Sequence, residues 1–138
     1  MADSIREVMT PNPRSLESGS TVVEAARLMR EQDVGIVPVT EGEKLVGTVT
    51  DRDIAIRVVA EGKSPESVTV GEVASRELVT IDPQQDLDEA LKLMARHQVR
   101  RLPVVEEDGT LVGIVAQADV AKHASDEQTG DLVEDISK

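Results

Sequence analysis

Aromatic residues are missing from this chain, whose 138 residues include no phenylalanine, tyrosine or tryptophan. The core must therefore be aliphatic, and a flat ligand would be held without an aromatic stacking surface. Cysteine is absent as well, which excludes disulfides, thiolate catalysis and thiolate metal sites.

Positive charge is scarce, since 15 Lys and Arg residues face 27 Asp and Glu residues and the formal net charge is −12. This balance repels phosphate backbones and anionic lipid surfaces, so we expect neither nucleic acid nor a membrane as a partner. No apolar run approaches the roughly 20 residues of a membrane span. The N-terminal "MADSIREVMT" also lacks the apolar region of a signal peptide. We therefore predict a soluble, cytoplasmic protein.

An internal repeat is the main feature that the chain does have. Residues 22–39, "VVEAARLMREQDVGIVPV", match residues 87–104, "LDEALKLMARHQVRRLPV", 65 positions later. Downstream, "GTVTDRDI" at 47–54 matches "GIVAQADV" at 113–120, and the lead-in "IREVMT" matches "VGEVAS". The chain therefore carries two copies of one structural unit.

Each copy predicts the element order β-α-β-β-α. Apolar residues recur at i, i+3, i+4 and i+7 in the first helix of each copy, and both helices begin with capping signals at Thr21 with Glu24 and at Asp86 with Glu89. Two β-rich runs joined by a polar turn follow, and then a last helix. One copy of about 60 residues would be only marginally stable as a separate domain. We therefore predict an α/β (α+β) fold of two pseudo-twofold β-α-β-β-α repeats packed sheet to sheet.

The predicted boundaries follow the repeat. The first repeat covers 4–62, a linker covers 63–70, the second repeat covers 71–124, and 125–138 is an acidic tail. We expect the tail to be frayed, or at most a loosely docked helical turn.

The motif "GTVTDRDI" is a strand that runs into a helix, with Thr50 at the N-cap and Asp53 three residues later. A capping box alone explains both residues. The same geometry also suits a nucleotide, because the threonine hydroxyl can donate to a phosphate oxygen and the aspartate can accept from two ribose hydroxyls. The second copy keeps Asp119, but Ala116 replaces the threonine.

These motifs resemble a tandem pair of cystathionine-β-synthase (CBS) domains, also called a Bateman module. The signals are "VMTPNP", the "VPV" and "LPV" strands, and a glycine-to-aspartate motif ahead of a helix, and they cover roughly residues 4–124. The runs "TDRDI" and "HQVRRLPV" are similar to those of small stand-alone bacterial CBS proteins of the hypoxic-response type. The resemblance implies a stress-related regulatory module without catalytic activity or cofactor.

The resemblance also implies an adenosine-containing ligand, such as AMP, ADP, ATP or S-adenosylmethionine, in the cleft between the repeats. The motif aspartates would take the ribose, Thr50 would face phosphate, and the strands would contact the base. With Arg100 and Arg101 added for their phosphate-binding chemistry, the predicted ligand-binding residues are Ser15, Leu16, Ile36, Val37, Pro38, Thr50, Asp53, Thr80, Ile81, Arg100, Arg101, Leu102, Pro103 and Asp119.

The two sites are predicted to be unequal, because Ala116 cannot donate to phosphate and a lost hydrogen bond to a charged group weakens binding up to about a hundredfold. Arg100 and Arg101 could compensate, since guanidinium groups bind phosphate well. Equally, they could form surface ion pairs, and the sequence leaves open which site they face.

Other functional classes find less support. His97 and His123 are the only histidines, and without cysteine a zinc site would need carboxylates too, so we predict no metal. No Ser-His-Asp signature or P-loop is present. Two hypotheses remain: a ligand-sensing module that signals through conformation or homodimer packing to an unknown protein effector, or a ligand-free interaction scaffold. The resemblance implies a homodimer, with Ile54, Val58, Val59 and Val120 as its expected contacts.

Overall fold

The computed structural model of the protein describes residues 4–123 and has two three-stranded sheets, which confirms the predicted α/β class. The helices are α1 (Ile5–Val8), α2 (Val22–Gln32), α3 (Asp51–Ile54), α4 (Val70–Val73) and α5 (Leu87–His97), and Ala55–Val59 is a π-helix. The strands are β1 (Thr10–Pro11), β2 (Leu16–Glu17), β3 (Ile36–Glu41), β4 (Lys44–Thr50), β5 (Arg101–Val105) and β6 (Leu111–Ala116). Residues 117–123 are helical. The predicted tail at 125–138 lies outside the described residues.

The chain divides into two compact units. The first-repeat unit comprises residues 13–78 and 107–111, and the second-repeat unit comprises residues 4–12, 79–106 and 112–123 of the described part. Each lead-in helix therefore packs with the other repeat's elements, since α1 belongs to the second-repeat unit and α4 to the first. The repeat boundaries drawn from sequence periodicity stay a prediction.

Each unit has one sheet and one aliphatic core. In the first-repeat unit the strand order is β2-β3-β4, with β2 parallel and β4 antiparallel to β3. In the second-repeat unit the order is β1-β6-β5, with β1 antiparallel to β6. The lead-in helices complete the cores, because Val70 of α4 and Ile5 of α1 are both 0% exposed.

Both predicted capping signals form. Thr21 and Glu24 make a complete capping box at the start of α2, with bonds of 2.8 and 3.3 Å. At the start of α5 the Asp86 carboxylate accepts from the Glu89 N–H at 2.9 Å. These side chains fix the helix starts because they satisfy N–H groups that have no partner within the helix.

The helix after the first motif differs from its prediction. Four α-helical residues are followed by the π-helix Ala55–Val59, where the sequence predicts one regular helix. The segment is rich in Ile and Val, whose β-branched side chains are weak helix formers. The wider turn leaves Val58 fully buried and Val59 67% exposed.

The glycine that both motifs share has a packing role. A side chain at Gly47 would lie 2.8 Å from the Ser75 carbonyl oxygen, and one at Gly113 would lie 3.1 Å from the Thr10 carbonyl oxygen. Ser75 and Thr10 are themselves equivalent positions of the two lead-ins. Lead-in backbone thus excludes a side chain at Gly47, whereas at Gly113 the nearest atoms belong to the Met9 side chain and the Thr10 carbonyl is only a tight contact.

Two expected dimer contacts are core residues instead. Val58 and Val120 are 0% exposed in the cores of the first-repeat and second-repeat units, so neither can meet a second chain without disrupting its own unit. Their burial follows from helical periodicity, which turns one face inward. Within residues 4–123, no helix has the length and apolar character needed to cross a bilayer.

Candidate functional site

Thr50 and Asp53 form a reciprocal capping box where β4 ends and α3 begins. The Thr50 N–H donates to Asp53 Oδ2 at 2.9 Å, and the Asp53 N–H donates to Thr50 Oγ1 at 3.0 Å. Both hydrogen bonds of the predicted capping box are therefore present. The Thr50 hydroxyl can still donate to a ligand, because it only accepts a hydrogen bond in the capping box.

The Asp53 carboxylate is held in place and still reachable. Its side chain is 16% exposed, and Oδ1 lies 3.9 Å from Arg57 Nε. A carboxylate has about four lone-pair positions. Asp53 can therefore accept from added hydroxyls while its bond to Thr50 persists.

Arg57 is a residue of the site that was not predicted from the sequence. Its guanidinium lies beside Asp53, and its Nη1 donates to the Val73 carbonyl at 2.9 Å. The available signal was the i, i+4 spacing from Asp53, at which oppositely charged side chains meet on a helix.

Thr50 of the motif lies on one face of the β3–β4 hairpin, together with side chains from the neighbouring strand. Ile36 pairs with Thr50, and Pro38 pairs with Thr48, so these four side chains share a face. Val37 points the other way into the core and is 1% exposed. Ile36 is partly exposed and can form an apolar ligand wall beside Thr50, whereas Pro38 and Val37 are both buried.

The extended segments near Ser15 and Thr80 occupy equivalent places in the two units. Leu16, which follows Ser15, pairs in parallel with Val39 on β3. Ile81, which follows Thr80, bridges Val104 on β5 in the same sense, with its N–H donating to the Pro103 carbonyl at 3.1 Å. Ile81 and Leu102 are core residues at 3% and 0% exposure.

Arg100 and Arg101 lie beside the position where the second motif lacks its hydroxyl. They line a cavity of about 540 Å³ in the second-repeat unit together with Leu91, Ala116, Gln117, Ala118 and Ala121. The Gln117 N–H donates to the Arg100 carbonyl at 2.7 Å, as the Asp51 N–H does to the Gly35 carbonyl in the first copy. The structure thereby places the arginine pair next to Ala116, a point that the sequence left open.

Asp119 is exposed and lines a different cavity of the second-repeat unit. That cavity has a volume of about 360 Å³ and is lined by Glu7, Val8, Thr10, Asp119, Lys122 and His123. The second copy thus separates its carboxylate from its arginine pair.

Two carboxylates at a turn and a helix start have lowered pKa values. Hydrogen bonds from the Thr110 N–H and then from Lys44 lower the pKa of Asp108 from 3.8 to about 2. The Thr69 N–H and hydroxyl lower the pKa of Glu72. Both groups anchor turns or helix ends.

Metal-ligating side chains do not converge in the part of the chain that the structure describes: no three His, Asp or Glu residues between 4 and 123 could hold an ion. His97 ends α5 and is exposed. That the protein has no metal site stays a prediction.

Known proteins resemble this chain over most of its length. YhcV of Bacillus subtilis, a CBS domain-containing protein, is 43% identical over 97% of this chain and 95% of its own length. The crystal structure of Hypoxic Response Protein I, which has two coordinated zinc ions, is 38% identical and superposes with a TM-score of 0.81, covering 88% of this chain and 98% of the other. The hypoxic-response type of resemblance is thereby confirmed.

A second similar structure contains a nucleotide. CBSX2 in complex with AMP is 26% identical, with a TM-score of 0.77 over 91% of this chain and 98% of the other. The profile of the CBS domain matches residues 5–60 and again residues 70–126. The chain therefore belongs to the CBS domain family and carries the domain twice.

Proposed function

We propose that this protein is a regulatory module, without catalysis of its own, that binds an adenosine-containing ligand such as AMP, ADP, ATP or S-adenosylmethionine. The observation that carries the proposal is the Asp53 carboxylate, which the Thr50 N–H holds at 2.9 Å while its side chain stays 16% exposed. The AMP complex of CBSX2 supports the ligand class, since that structure shares 26% of the sequence.

The ligand contacts follow from the geometry of the first motif. The two ribose hydroxyls donate to Asp53, and the Thr50 hydroxyl donates to a phosphate oxygen. Ile36 contacts the base, since it is partly exposed on the hairpin face that carries Thr50, and the buried Pro38 supports it on the same face. Backbone groups at Ser15 and Leu16 provide the polar edge. No residue of this set acts as a nucleophile or a general base.

The second-repeat site, as we propose it, is weaker and more dependent on phosphate. Ala116 offers no hydroxyl, while Arg100 and Arg101 lie beside it at the cavity of about 540 Å³. Thr80, Ile81, Leu102 and Pro103 position the strand of this site. Asp119 would still accept ribose hydroxyls, but it lines a separate cavity.

To signal that a ligand is bound, the protein would need a second surface besides the ligand site. We propose that ligand binding changes the conformation or the packing of a homodimer and that a separate protein reads this change. Val59 and Ile56, at 67% and 46% exposure, are the large exposed apolar side chains near the first motif. A homodimer contact on this segment would cover them.

Isothermal titration of AMP, ADP, ATP and S-adenosylmethionine into wild type, Asp53→Asn and Asp119→Asn tests the proposal. Asparagine keeps an oxygen for the Thr50 N–H, so the fold survives while the charged acceptor is lost. We expect micromolar binding that Asp53→Asn weakens about tenfold to a hundredfold. Asp119→Asn, the matched control, changes it less. Loss in Asp119→Asn alone would move the main site to the second repeat, and equal loss in both variants would contradict a main site at Asp53.

A ligand-free scaffold is the second candidate function, and one observation favours it. Thr50 and Asp53 form both hydrogen bonds of a capping box, so the start of the helix alone accounts for these two residues. The absence of heat with all four compounds at millimolar concentration would select this candidate, and pull-down experiments would then look for protein partners.

A further inference from the structure

Arg57 bridges the motif carboxylate and the end of the lead-in helix α4. Its Nε lies 3.9 Å from Asp53 Oδ1, and its Nη1 lies 2.9 Å from the Val73 carbonyl oxygen. Val73 is the last residue of α4, and the last carbonyls of a helix have no partner within the helix. The guanidinium, with several donors in a fixed plane, can serve both oxygens at once.

The end of α4 is in turn fastened to β4. Immediately after α4, Ser75 exchanges two backbone hydrogen bonds with Thr48, at 2.8 and 3.0 Å. Thr48 lies two residues before Thr50 on the same strand. The contacts Thr50–Asp53, Asp53–Arg57, Arg57–Val73 and Ser75–Thr48 therefore close a ring within the first-repeat unit.

The other end of α4 is fixed separately. The Thr69 N–H and hydroxyl both donate to Glu72 Oε2, at 2.7 and 3.0 Å, which caps the start of the helix. Only the C-terminal end of α4 thus depends on a side chain that also touches the ligand motif.

The same positions meet in the second-repeat unit. Val8, Thr10, Asp119 and His123 line one cavity, and they are the repeat counterparts of Val73, Ser75, Asp53 and Arg57. A basic side chain four residues after the motif aspartate and next to a lead-in helix end is therefore a feature of both copies.

We propose that Arg57 is a positioning residue that orients Asp53 for the ligand and couples the occupancy of Asp53 to α4. A ribose that binds Asp53 competes for the lone pairs nearest Arg57 and shifts the guanidinium relative to the Val73 carbonyl. The backbone at Ala74 and Ser75 responds, because Val73 and Ala74 share a peptide plane. This inference deepens the proposed function by assigning it a route of regulation.

A ligand-free double-mutant cycle tests the coupling without reliance on the proposed function. Amide hydrogen exchange at Ala74 and Ser75 is measured in wild type, Asp53→Asn, Arg57→Met and the double variant. Methionine keeps the length and packing of the side chain but loses the donors. We expect Arg57→Met to speed exchange about threefold to tenfold, and Asp53→Asn to speed it only when Arg57 is present.

Arg52→Met is the matched control, since it removes a positive charge from α3 without touching Val73 and should leave these amides unchanged. Arg57→Lys should restore part of the protection, because an ammonium can reach only one of the two oxygens. Additive effects of Asp53→Asn and Arg57→Met, or unchanged exchange in Arg57→Met, would overturn the coupling.

Titration with AMP tests the ligand-dependent part of this proposal, and that part rests on the proposed function. Binding to wild type should change exchange at Ala74 and Ser75, whereas Arg57→Met should bind about threefold more weakly and show no such change. AMP binding with the same exchange change in both proteins would overturn the proposal for Arg57 alone. If AMP and its analogues do not bind wild type, the proposed function fails, while the ligand-free cycle still decides the coupling.

Discussion

Ala116 stands where the first motif has Thr50, so the second copy lacks the side chain that caps its helix. The Thr50–Asp53 bond of 3.0 Å shows what the hydroxyl does: it satisfies an N–H that has no partner within the helix. Asp119 remains in the second copy, so restoring one hydroxyl restores both halves of a capping box.

Ala116→Thr should therefore stabilise the protein by about 1 kcal/mol, which raises the Tm by about 3 °C. Calorimetry measures this without any ligand. Ala118→Thr, at another residue of the same cavity, adds the same side chain inside the helix, where it cannot cap, and should lower the Tm slightly. An equal shift in both variants would show that capping is not the cause.

At the element scale, the turn between β5 and β6 and the first residue of β6, residues 107–111 together, pack in the first-repeat unit although both strands belong to the second. Lys44 Nζ contacts Asp108 Oδ2 at 3.0 Å and donates to the Asp108 carbonyl at 2.9 Å. The Leu45 N–H donates to the Gly109 carbonyl at 3.1 Å. One exposed ion pair thus accompanies backbone bonds that join the turn to β4.

The charge of Asp108 should make this turn sensitive to acid. Its pKa is lowered to about 2 in the folded protein from an ordinary 3.8, so the stabilisation is complete above about pH 4 and is lost as the pH falls through 2. Asp108→Asn should lower the Tm at pH 6, and the difference from wild type should narrow between pH 4 and pH 2.

Melting curves at several pH values, with and without 0.5 M salt, check this prediction. Added salt should shrink the difference because the pair is exposed. A difference that stays constant from pH 6 to pH 2 would mean that the charge of Asp108 contributes nothing.

The whole molecule depends on two separate aliphatic cores, without an aromatic residue in either. Leu102 is 0% exposed in the second-repeat core, whereas Leu78 is 40% exposed. The free energy of unfolding of a domain is only about 0.05–0.15 kcal/mol per residue. A single cavity in one of these cores would therefore remove a large share of it.

Leu102→Ala should lower the free energy of unfolding by about 2–5 kcal/mol, through lost burial and the cavity that remains. Leu78→Ala, the same chemical change at an exposed position, should cost at most about 1 kcal/mol. Urea denaturation measures both variants. Similar losses would contradict the placement of Leu102 in the core.

Local patterns in the sequence predicted the elements that depend on neighbouring residues. The helices α2 and α5 begin where Thr21 and Asp86 cap them, and the hairpin β3–β4 follows its alternating aliphatics. The capping box at Thr50 and Asp53 was predicted for the same reason, since both partners lie within one turn of each other.

The sequence by itself determined the repeat, the helices α2 and α5, the hairpin β3–β4 and the capping pair of the first motif, because these follow from spacing along the chain. The lead-in helices α1 and α4 and the π-helix were not predicted. Only the tertiary structure decided that α1 and α4 pack with the other repeat's elements, that Arg100 and Arg101 flank Ala116, and that Arg57 reaches Val73. These contacts join different elements of the chain, and those to the Val73 and Arg100 carbonyls use backbone groups. Backbone groups are the same in every residue type, so the sequence carries no pattern that predicts these contacts.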